Sequence, residues 1–186
     1  IGSAYHLDML RNHDIVVAKQ VADIDLKGYG NWKPIGMGDK FFQGVFDGNG
    51  FKIKNLTIND LDEIAENQYG DLYVGLFGTV YDTNTKIQNV TLENVYISGT
   101  ARNSRLAYIG GLAGTVLFGT IENSYVTGTV NVSYSPASYG THVGGLAGNV
   151  AYGKIQTSYA KVQVTGLIAG GLVGRNSGKI INSYAA

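Results

Sequence analysis

The hydrophobic and polar positions of the chain repeat along its second half. A glycine-rich pentapeptide, Gly-Gly-Leu-Ala-Gly or Gly-Gly-Leu-Val-Gly, occurs three times, beginning at Gly110, Gly144 and Gly170. Each copy is followed by a segment of the form Gly-x-Ile-x-Asn/Thr-Ser-Tyr, and these segments end at Tyr125, Tyr159 and Tyr184. Self-similarity at a fixed period predicts a solenoid, in which each repeat buries its apolar face by stacking on its neighbours.

Isoleucine marks the register of this repeat. Four isoleucines are 34 residues apart and a fifth follows after 25, which predicts one inward-facing column: Ile53, Ile87, Ile121, Ile155 and Ile180. Positions three and five residues further on also carry apolar or small side chains, as Val90 and Leu92 do. Because successive residues of a strand face opposite sides, an offset of three requires a bend between the two inward sets.

The bend is predicted at a polar column that lies two residues after each isoleucine, formed by Asn55, Asn89, Asn123, Thr157 and Asn182. Stacked asparagine side chains can hydrogen-bond along such a column and to turn backbone. Two neighbouring columns are then predicted to face outward. One contains Thr57, Thr91, Tyr125, Tyr159 and Tyr184, and the other contains Lys52, Lys86, Thr120, Lys154 and Lys179.

The segment that precedes the repeats has a different pattern. Residues 3–12 carry apolar side chains at helical spacing after Ser3, a good capping residue, which predicts a short helix that covers the open end of the first turn. Residues 15–26 are predicted as extended strand. We expect one domain, part of a longer protein, in which residues 1–40 form the cap helix and leading strands and residues 41–186 form the repeats.

Three polar segments of different lengths link the repeats. They are predicted to be surface loops, because their lengths vary while the strands do not: residues 60–71, 99–107 and 133–141. Equivalent strands on either side of these loops are expected to pair in parallel, about 4.8 Å apart. The abundance of glycine, valine, isoleucine, threonine and tyrosine agrees with many short strands joined by tight turns.

Charge changes this picture little. The chain of 186 residues has 14 basic and 14 acidic residues, and this balance argues against binding to nucleic acid. All the acidic residues except Glu122 precede residue 94, so the second half is basic. The chain has no cysteine, no apolar run long enough to span a membrane and no signal peptide at its Ile1 start, so we expect a mature or excised segment of an exported protein.

The repeated motifs resemble the GLUG motif of bacterial surface and secreted proteins. The resemblance is closest in the stretches 144–160 and 170–185, and Val74-Gly75-Leu76-Phe77-Gly78 is similar to a degenerate first copy. It implies an all-β fold, a right-handed parallel β-helix of about five coils with a short N-terminal capping helix. The family occurs in adhesin-like proteins and in non-catalytic regions upstream of IgA-cleaving metallopeptidases. The HExxH zinc motif of those peptidases is missing from this sequence.

Several residues have side chains of the catalytic or metal-binding type, and for each a structural role is favoured. The turn Asp47–Gly50 contains oxygen ligands of the kind that calcium prefers, yet it lacks a further carboxylate nearby in sequence. Asp23 and Asp25 share one side of an extended segment, as a glycosidase pair can, but solvated or turn-bonding carboxylates fit better. The histidines have no nucleophile or ligand at a useful spacing: His6, His13 and His142. We therefore predict no enzyme activity, no metal site and no cofactor.

The outward tyrosine and lysine columns are the candidate binding residues. A row of parallel aromatic rings can contact sugar rings or a partner protein, and lysines can attract an acidic polymer. The alternative is that the tyrosines only stack on one another. The residues concerned are Tyr125, Tyr159, Tyr184, Lys154 and Lys179.

The sequence therefore predicts a non-catalytic stalk or interaction module of an exported bacterial surface protein, located at the cell surface or secreted. Its expected partners are a protein or glycan on a host or neighbouring cell and the flanking domains of its own chain, with no nucleic acid. The alternative is a carbohydrate-binding or carbohydrate-active β-helix that uses the tyrosine column. A surface-templating face is a third hypothesis, raised by Thr127-Gly128-Thr129.

Overall fold

A short helix opens the chain, as its spacing predicts. In the computed structural model, which describes residues 1–102, 104–136 and 138–186, helix α1 spans Ala4–Met9 and continues as a 3-10 turn over Leu10–Asn12. The Ser3 hydroxyl caps the helix by accepting the His6 N–H at 3.2 Å. Leu7 is fully buried in the main apolar core, so the helix packs onto the strands that follow.

The rest of the regular structure in the described residues is β-strand, apart from a 3-10 turn over Leu61–Glu63. In chain order the strands are β1 (Val16–Lys19), β2 (Ile24–Asp25), β3 (Gly44–Asp47), β4 (Lys52–Lys54), β5 (Thr57–Ile58), β6 (Asp71–Val74), β7 (Phe77–Tyr81), β8 (Lys86–Gln88), β9 (Thr91–Ala101), β10 (Leu106–Gly110), β11 (Ala113–Leu117), β12 (Thr120–Glu122), β13 (Tyr125–Tyr134), β14 (Gly140–Gly144), β15 (Ala147–Gln156), β16 (Tyr159–Thr165), β17 (Ile168–Gly170), β18 (Val173–Ile181) and β19 (Tyr184–Ala185).

These strands form three parallel sheets. Strands β1 to β5 lie in the first and third sheets, and from β6 onward the chain passes through all three sheets in turn. The first sheet has the order β1-β3-β8-β12-β15-β11-β7, with β18 also paired to β15. The second is β6-β10-β14-β17, and the third is β2-β4-β9-β13-β16-β19 with β5 on β9. The protein is therefore mostly β, as predicted. We call one pass through the three sheets a coil.

Two of the three linking loops are shorter than predicted, and the first, between β5 and β6, spans residues 59–70 close to its predicted bounds. Strands β9 and β10 leave residues 102–105 between them, and β13 and β14 leave residues 135–139. Two residues within the loops predicted from the sequence, Asn103 and Ala137, lie outside the described part of the chain.

The isoleucine column is confirmed from the second predicted member onward. Ile121 is the register partner of Ile87 on one side and Ile155 on the other, and Ile155 pairs with Ile180. The first three side chains are fully buried, whereas Ile180 is 38% exposed at the end of the column. Burial of each enclosed isoleucine stabilises the fold by roughly 1.5–3 kcal/mol.

The prediction that Ile53 begins this column is wrong. Ile53 lies in the third sheet, between Ile24 and Leu92, and the position beside Ile87 is taken by Phe46. The reason is an earlier corner. The chain already turns at Gly48, whose N–H donates to the Gln88 carbonyl at 2.9 Å, so residue 53 belongs to the next sheet.

Residues 52–58 are therefore all displaced from the predicted columns. Lys52 pairs with Thr91 rather than with Lys86, Thr57 with Tyr96, and Ile58 with Ile97. The inward-facing positions of this segment remain buried, because Ile53 and Ile58 both have no exposed surface. The prediction of which residues in this segment face inward is confirmed for Ile53 and Ile58, whereas the prediction of the coil to which the segment belongs is wrong.

The predicted bend at the asparagine column is present in four successive coils. Its members have left-handed backbone, with φ of 54° at Asn89, 46° at Asn123, 49° at Thr157 and 47° at Asn182. Asparagine adopts this conformation at lower cost than other residues with a Cβ, because its short amide can bond locally. The corner thus explains why asparagine recurs there.

Buried serines satisfy the backbone immediately after this corner. The Ser124 Oγ accepts the Val90 N–H at 3.1 Å, and the Ser158 Oγ accepts the Ser124 N–H at 3.1 Å. The Ser183 Oγ continues the series by accepting the Ser158 N–H. A buried N–H without a partner costs about 1–3 kcal/mol, so the Ser of the repeated Ser-Tyr pair is a structural requirement.

The last glycine of the pentapeptide permits close contact between two sheets. At Gly148, an added Cβ would lie 2.2 Å from the backbone nitrogen of Ile109. No side chain fits at that distance, so the first and second sheets meet there backbone against backbone.

The isoleucine column generates a direct test. We expect Ile121→Asp to abolish folding or lower the melting temperature sharply, because an unpaired buried charge costs several kcal/mol against a total stability of about 5–15 kcal/mol. The matched control is Thr120→Asp, one residue away on β12, where the side chain faces outward between Lys86 and Lys154. Circular dichroism melting curves measure both. An Ile121→Asp protein that melts like the parent contradicts the buried column.

Candidate interaction surface

The predicted tyrosine column exists and its rings are stacked. Tyr125 and Tyr159 have ring centroids 4.8 Å apart and an interplanar angle of 1°, and Tyr159 and Tyr184 are 5.3 Å apart at 8°. Each inner ring therefore covers the faces of its neighbours and presents its edge to solvent. Tyr184, on the last strand, is 59% exposed.

The lysine column forms next to the isoleucine column, with one change. Thr120 pairs with Lys86 and Lys154, and Lys154 pairs with Lys179, as predicted, but Lys52 belongs to another sheet. The Lys86 Nζ contacts the Glu122 carboxylate at 3.0 Å. The Nζ atoms of Lys154 and Lys179 have no hydrogen bond or ion pair within the described residues.

Glu122 is the acidic centre of this face. Its carboxylate accepts hydrogen bonds from the Lys86 Nζ and the Gln156 Nε2. The Lys86 hydrogen bond lowers the pKa of Glu122, burial opposes that effect, and Gln156 and the charge of Lys154 lower the pKa further. The single acid in the second half of the chain therefore neutralises Lys86 and only partly compensates Lys154.

The Asp47 turn is engaged in a polar ladder. The Asn123 amide donates to the Asn89 Oδ1 at 2.6 Å, and the Asn89 amide donates to the Asp47 Oδ1 at 3.0 Å. Asp47 also accepts the Asn49 N–H and the Gln88 amide. Burial raises the pKa of Asp47, but these hydrogen bonds outweigh it and hold the pKa below its ordinary value. The carboxylate thus serves as the acceptor at the base of the ladder.

Asp23 and Asp25 have similar structural roles. Asp23 accepts the Lys52 N–H and contacts the Lys54 Nζ at 2.8 Å, and Asp25 accepts the Lys27 N–H and the Asn55 amide. The bond from Lys54 lowers the pKa of Asp23, and the bond from Asn55 lowers that of Asp25. Both side chains tie one turn to the next. Within the described residues, no cluster of three or more His, Cys, Asp or Glu side chains is placed to hold a metal.

A second aromatic column was not predicted from the sequence. Its members are, in order, Phe41, Tyr81, Phe118 and Tyr152. The centroids of successive rings in this order are 4.9, 6.1 and 5.3 Å apart. The signal was available, because Phe118 and Tyr152 each directly precede the glycine that begins the second half of the motif. Tyr152 is the most exposed member at 73%.

His142 belongs to a third column, with Tyr73 and Tyr108. The Tyr108 ring stacks on both neighbours, and the Arg175 Nη1 donates to its hydroxyl at 3.2 Å. Burial, assisted by the charge of Arg175, lowers the pKa of His142, and burial raises the pKa of Tyr73 to about 12. His142 therefore has a packing role, and His6 and His13 are exposed near the N-terminus.

The fold and its ladders define a mostly β repeat protein built from stacked parallel strands. The family model of the GLUG motif matches residues 106–131, so the chain carries that motif and the resemblance is confirmed there. This family model describes a repeat motif and not a catalytic family. None of the described helices is long and apolar enough to cross a membrane.

Two curated proteins are similar to this chain. A Gly-rich membrane protein of Evansella cellulosilytica is 34% identical over 130 residues, which cover 66% of this chain and 14% of that protein. Halomucin of Haloquadratum walsbyi is 36% identical over 105 residues, which cover 56% of this chain and 1% of that protein. The chain thus spans a small part of the length of these relatives.

One solved structure resembles the whole chain. It is a crystal structure described as an immunoglobulin A1 protease from Bacteroides ovatus, with a TM-score of 0.60 and 22% identity. The match covers 100% of this chain and 65% of the solved one. At this identity the likeness shows a shared fold.

The Glu122 contacts generate a pH prediction. In the folded protein the pKa of Glu122 lies below its ordinary value of 4.5. The stabilisation from the ionised Glu122 carboxylate is therefore present above that pH and is lost as the pH falls. We expect Glu122→Gln to lower the melting temperature at pH 7 by roughly 2–4 °C and to reduce the fall in melting temperature on acidification. Asp14→Asn, at an exposed carboxylate, is the control. A Glu122→Gln protein with the parent's full acid dependence contradicts the assignment.

Proposed function

We propose that this chain is a right-handed parallel β-helix of about five coils that acts as a non-catalytic spacing or interaction module of an exported bacterial surface protein. Residues 41–186 would form the coils and residues 1–40 the N-terminal cap. The observation that carries the proposal is the use of side chains along the stack. Amides, serines and aromatic rings bond or pack onto their equivalents in the adjacent coil.

The carboxylates support a structural role. Asp23, Asp25, Asp47 and Glu122 each accept at least two hydrogen bonds, and their donors lie mostly on adjacent coils or turns. A catalytic acid or base needs a free oxygen within reach of substrate. These acids are instead used to terminate ladders and pair lysines.

The relatives support an extracellular setting. One is named as a membrane protein and another as halomucin, and the segment matched is a small fraction of each. A match to a short segment of a much longer protein is typical of a module that is one of several parts of that protein. We infer a cell-surface or secreted location, with flanking domains of the same chain and a surface protein or glycan as partners.

The labelling of whole cells tests this proposal. An antibody raised against the purified chain should label intact cells of the source bacterium or detect the protein in its medium, and brief protease treatment of intact cells should remove the cell-bound signal. An antibody against a cytoplasmic enzyme is the control. Labelling that requires permeabilised cells, with nothing in the medium, contradicts the proposal.

Carbohydrate binding through the tyrosine column is the second candidate. It is favoured by the aligned rings of Tyr125 and Tyr159, which lie parallel and are both partly exposed. We expect Tyr125→Ala/Tyr159→Ala to abolish binding to a glycan array if this column holds the sugar, whereas Tyr134→Ala, at an exposed tyrosine elsewhere on β13, should not. Glycan binding that survives the double substitution excludes this column as the site.

A further inference from the structure

The second aromatic column ends in an open ring face. Phe118 and Tyr152 are stacked at 5.3 Å with an interplanar angle of 15°, so one face of Tyr152 is covered. The opposite face points toward the next coil. There Gly178 stacks on Gly153, and the residue before it is Ser177, which has no ring to cover Tyr152.

Two lysines follow this ring closely in sequence and register. Tyr152 has left-handed backbone, with a φ of 58°, at an irregularity of β15. Tyr152 and Lys154 are both solvent-accessible, and Gly153 between them is buried. Lys179 is the register partner of Lys154 on β18 and is exposed. Paired strands are about 4.8 Å apart, so two residues of like charge project from neighbouring positions.

The two positive charges are only partly compensated. Neither Nζ has an ion-pair partner within the described residues, and the nearest acid, Glu122, already bonds Lys86 and Gln156. Beyond Asn94 the sequence has six lysines and arginines and one acid. An anion bound here would relieve the repulsion between the lysines, which is a favourable form of electrostatic complementarity.

We propose that Tyr152, Lys154 and Lys179 form a binding site for a carboxylated polysaccharide. The C–H face of one sugar ring would pack on the open face of Tyr152, and its carboxylate would accept charge-assisted hydrogen bonds from the lysines. This proposal deepens the proposed function, because it names a ligand for the module. A sugar acid fits better than a nucleic acid, since one ring is open and the chain as a whole is neutral.

The experiment measures binding of polygalacturonate to the purified chain by isothermal titration calorimetry at low salt. The fully methyl-esterified polymer is the ligand control, because it keeps the sugar rings and lacks the charge. We expect Tyr152→Ala and Lys154→Gln/Lys179→Gln each to weaken binding about tenfold. We expect Tyr152→Phe to retain binding, and the matched controls Tyr134→Ala and Lys161→Gln to have no effect. Melting curves establish that each variant is folded.

Three results with the polysaccharide would overturn the proposed site. They are the absence of polygalacturonate binding, equal binding of the esterified polymer, and equal weakening by Lys161→Gln, which would indicate general charge attraction. Tighter binding of a single-stranded oligonucleotide would assign the surface to nucleic acid and would also overturn it. Each of these leaves the cell-labelling result unchanged, so failure of this site is distinguishable from failure of the proposed function.

Discussion

The structure depends on one backbone corner that the chain makes at the same position in successive coils. Asn89, Asn123, Thr157 and Asn182 hold this corner in left-handed conformation, and the amides of the first two bond down the ladder to Asp47. The following serines accept backbone N–H groups that would otherwise be buried without partners. Conformation and hydrogen bonding therefore favour the same short motif, which is Asn-Ser at Asn123 and Asn182 and Thr-Ser at Thr157. The isoleucine column follows from this corner, because the corner fixes which residue enters the core.

Stacking also determines which ring faces and charged groups of the protein remain accessible to a ligand. Within the tyrosine column the rings cover their neighbours, and the carboxylates of Asp23, Asp25, Asp47 and Glu122 are bonded by side chains of other coils or turns. A free ring face remains at Tyr152, where the following coil has Ser177 in place of an aromatic residue. Uncompensated charge remains where the acids run out, at Lys154 and Lys179. Open ring faces and uncompensated charge in these stacked sheets thus occur at irregular positions rather than along the regular face.

The sequence predicted the regular part of this molecule well. Equal spacing identified the partners of Ile121, and the odd offset identified the corner at Asn123, because both follow from strand geometry. It placed Ile53 one sheet too early, since Phe46 and Gly48 supply the core residue and the corner in that coil with different residue types. It missed the Phe41–Tyr152 column because the aromatic residue before the motif glycine recurs only at Phe118 and Tyr152. In the last repeat Ser177 occupies that position.

The register of adjacent coils is the central claim, and engineered disulfides measure it most directly in a chain that has no cysteine of its own. Thr120→Cys/Lys154→Cys places two thiols on register partners, whose Cα atoms are about 4.8 Å apart, within the range that a disulfide spans. Thr120→Cys/Gln156→Cys moves one thiol by two residues, to about 8 Å, beyond that range. Under mild oxidation we expect efficient cross-linking in the first protein and little in the second. Preferential cross-linking of the shifted pair, or equal cross-linking of both, would contradict the stacked arrangement.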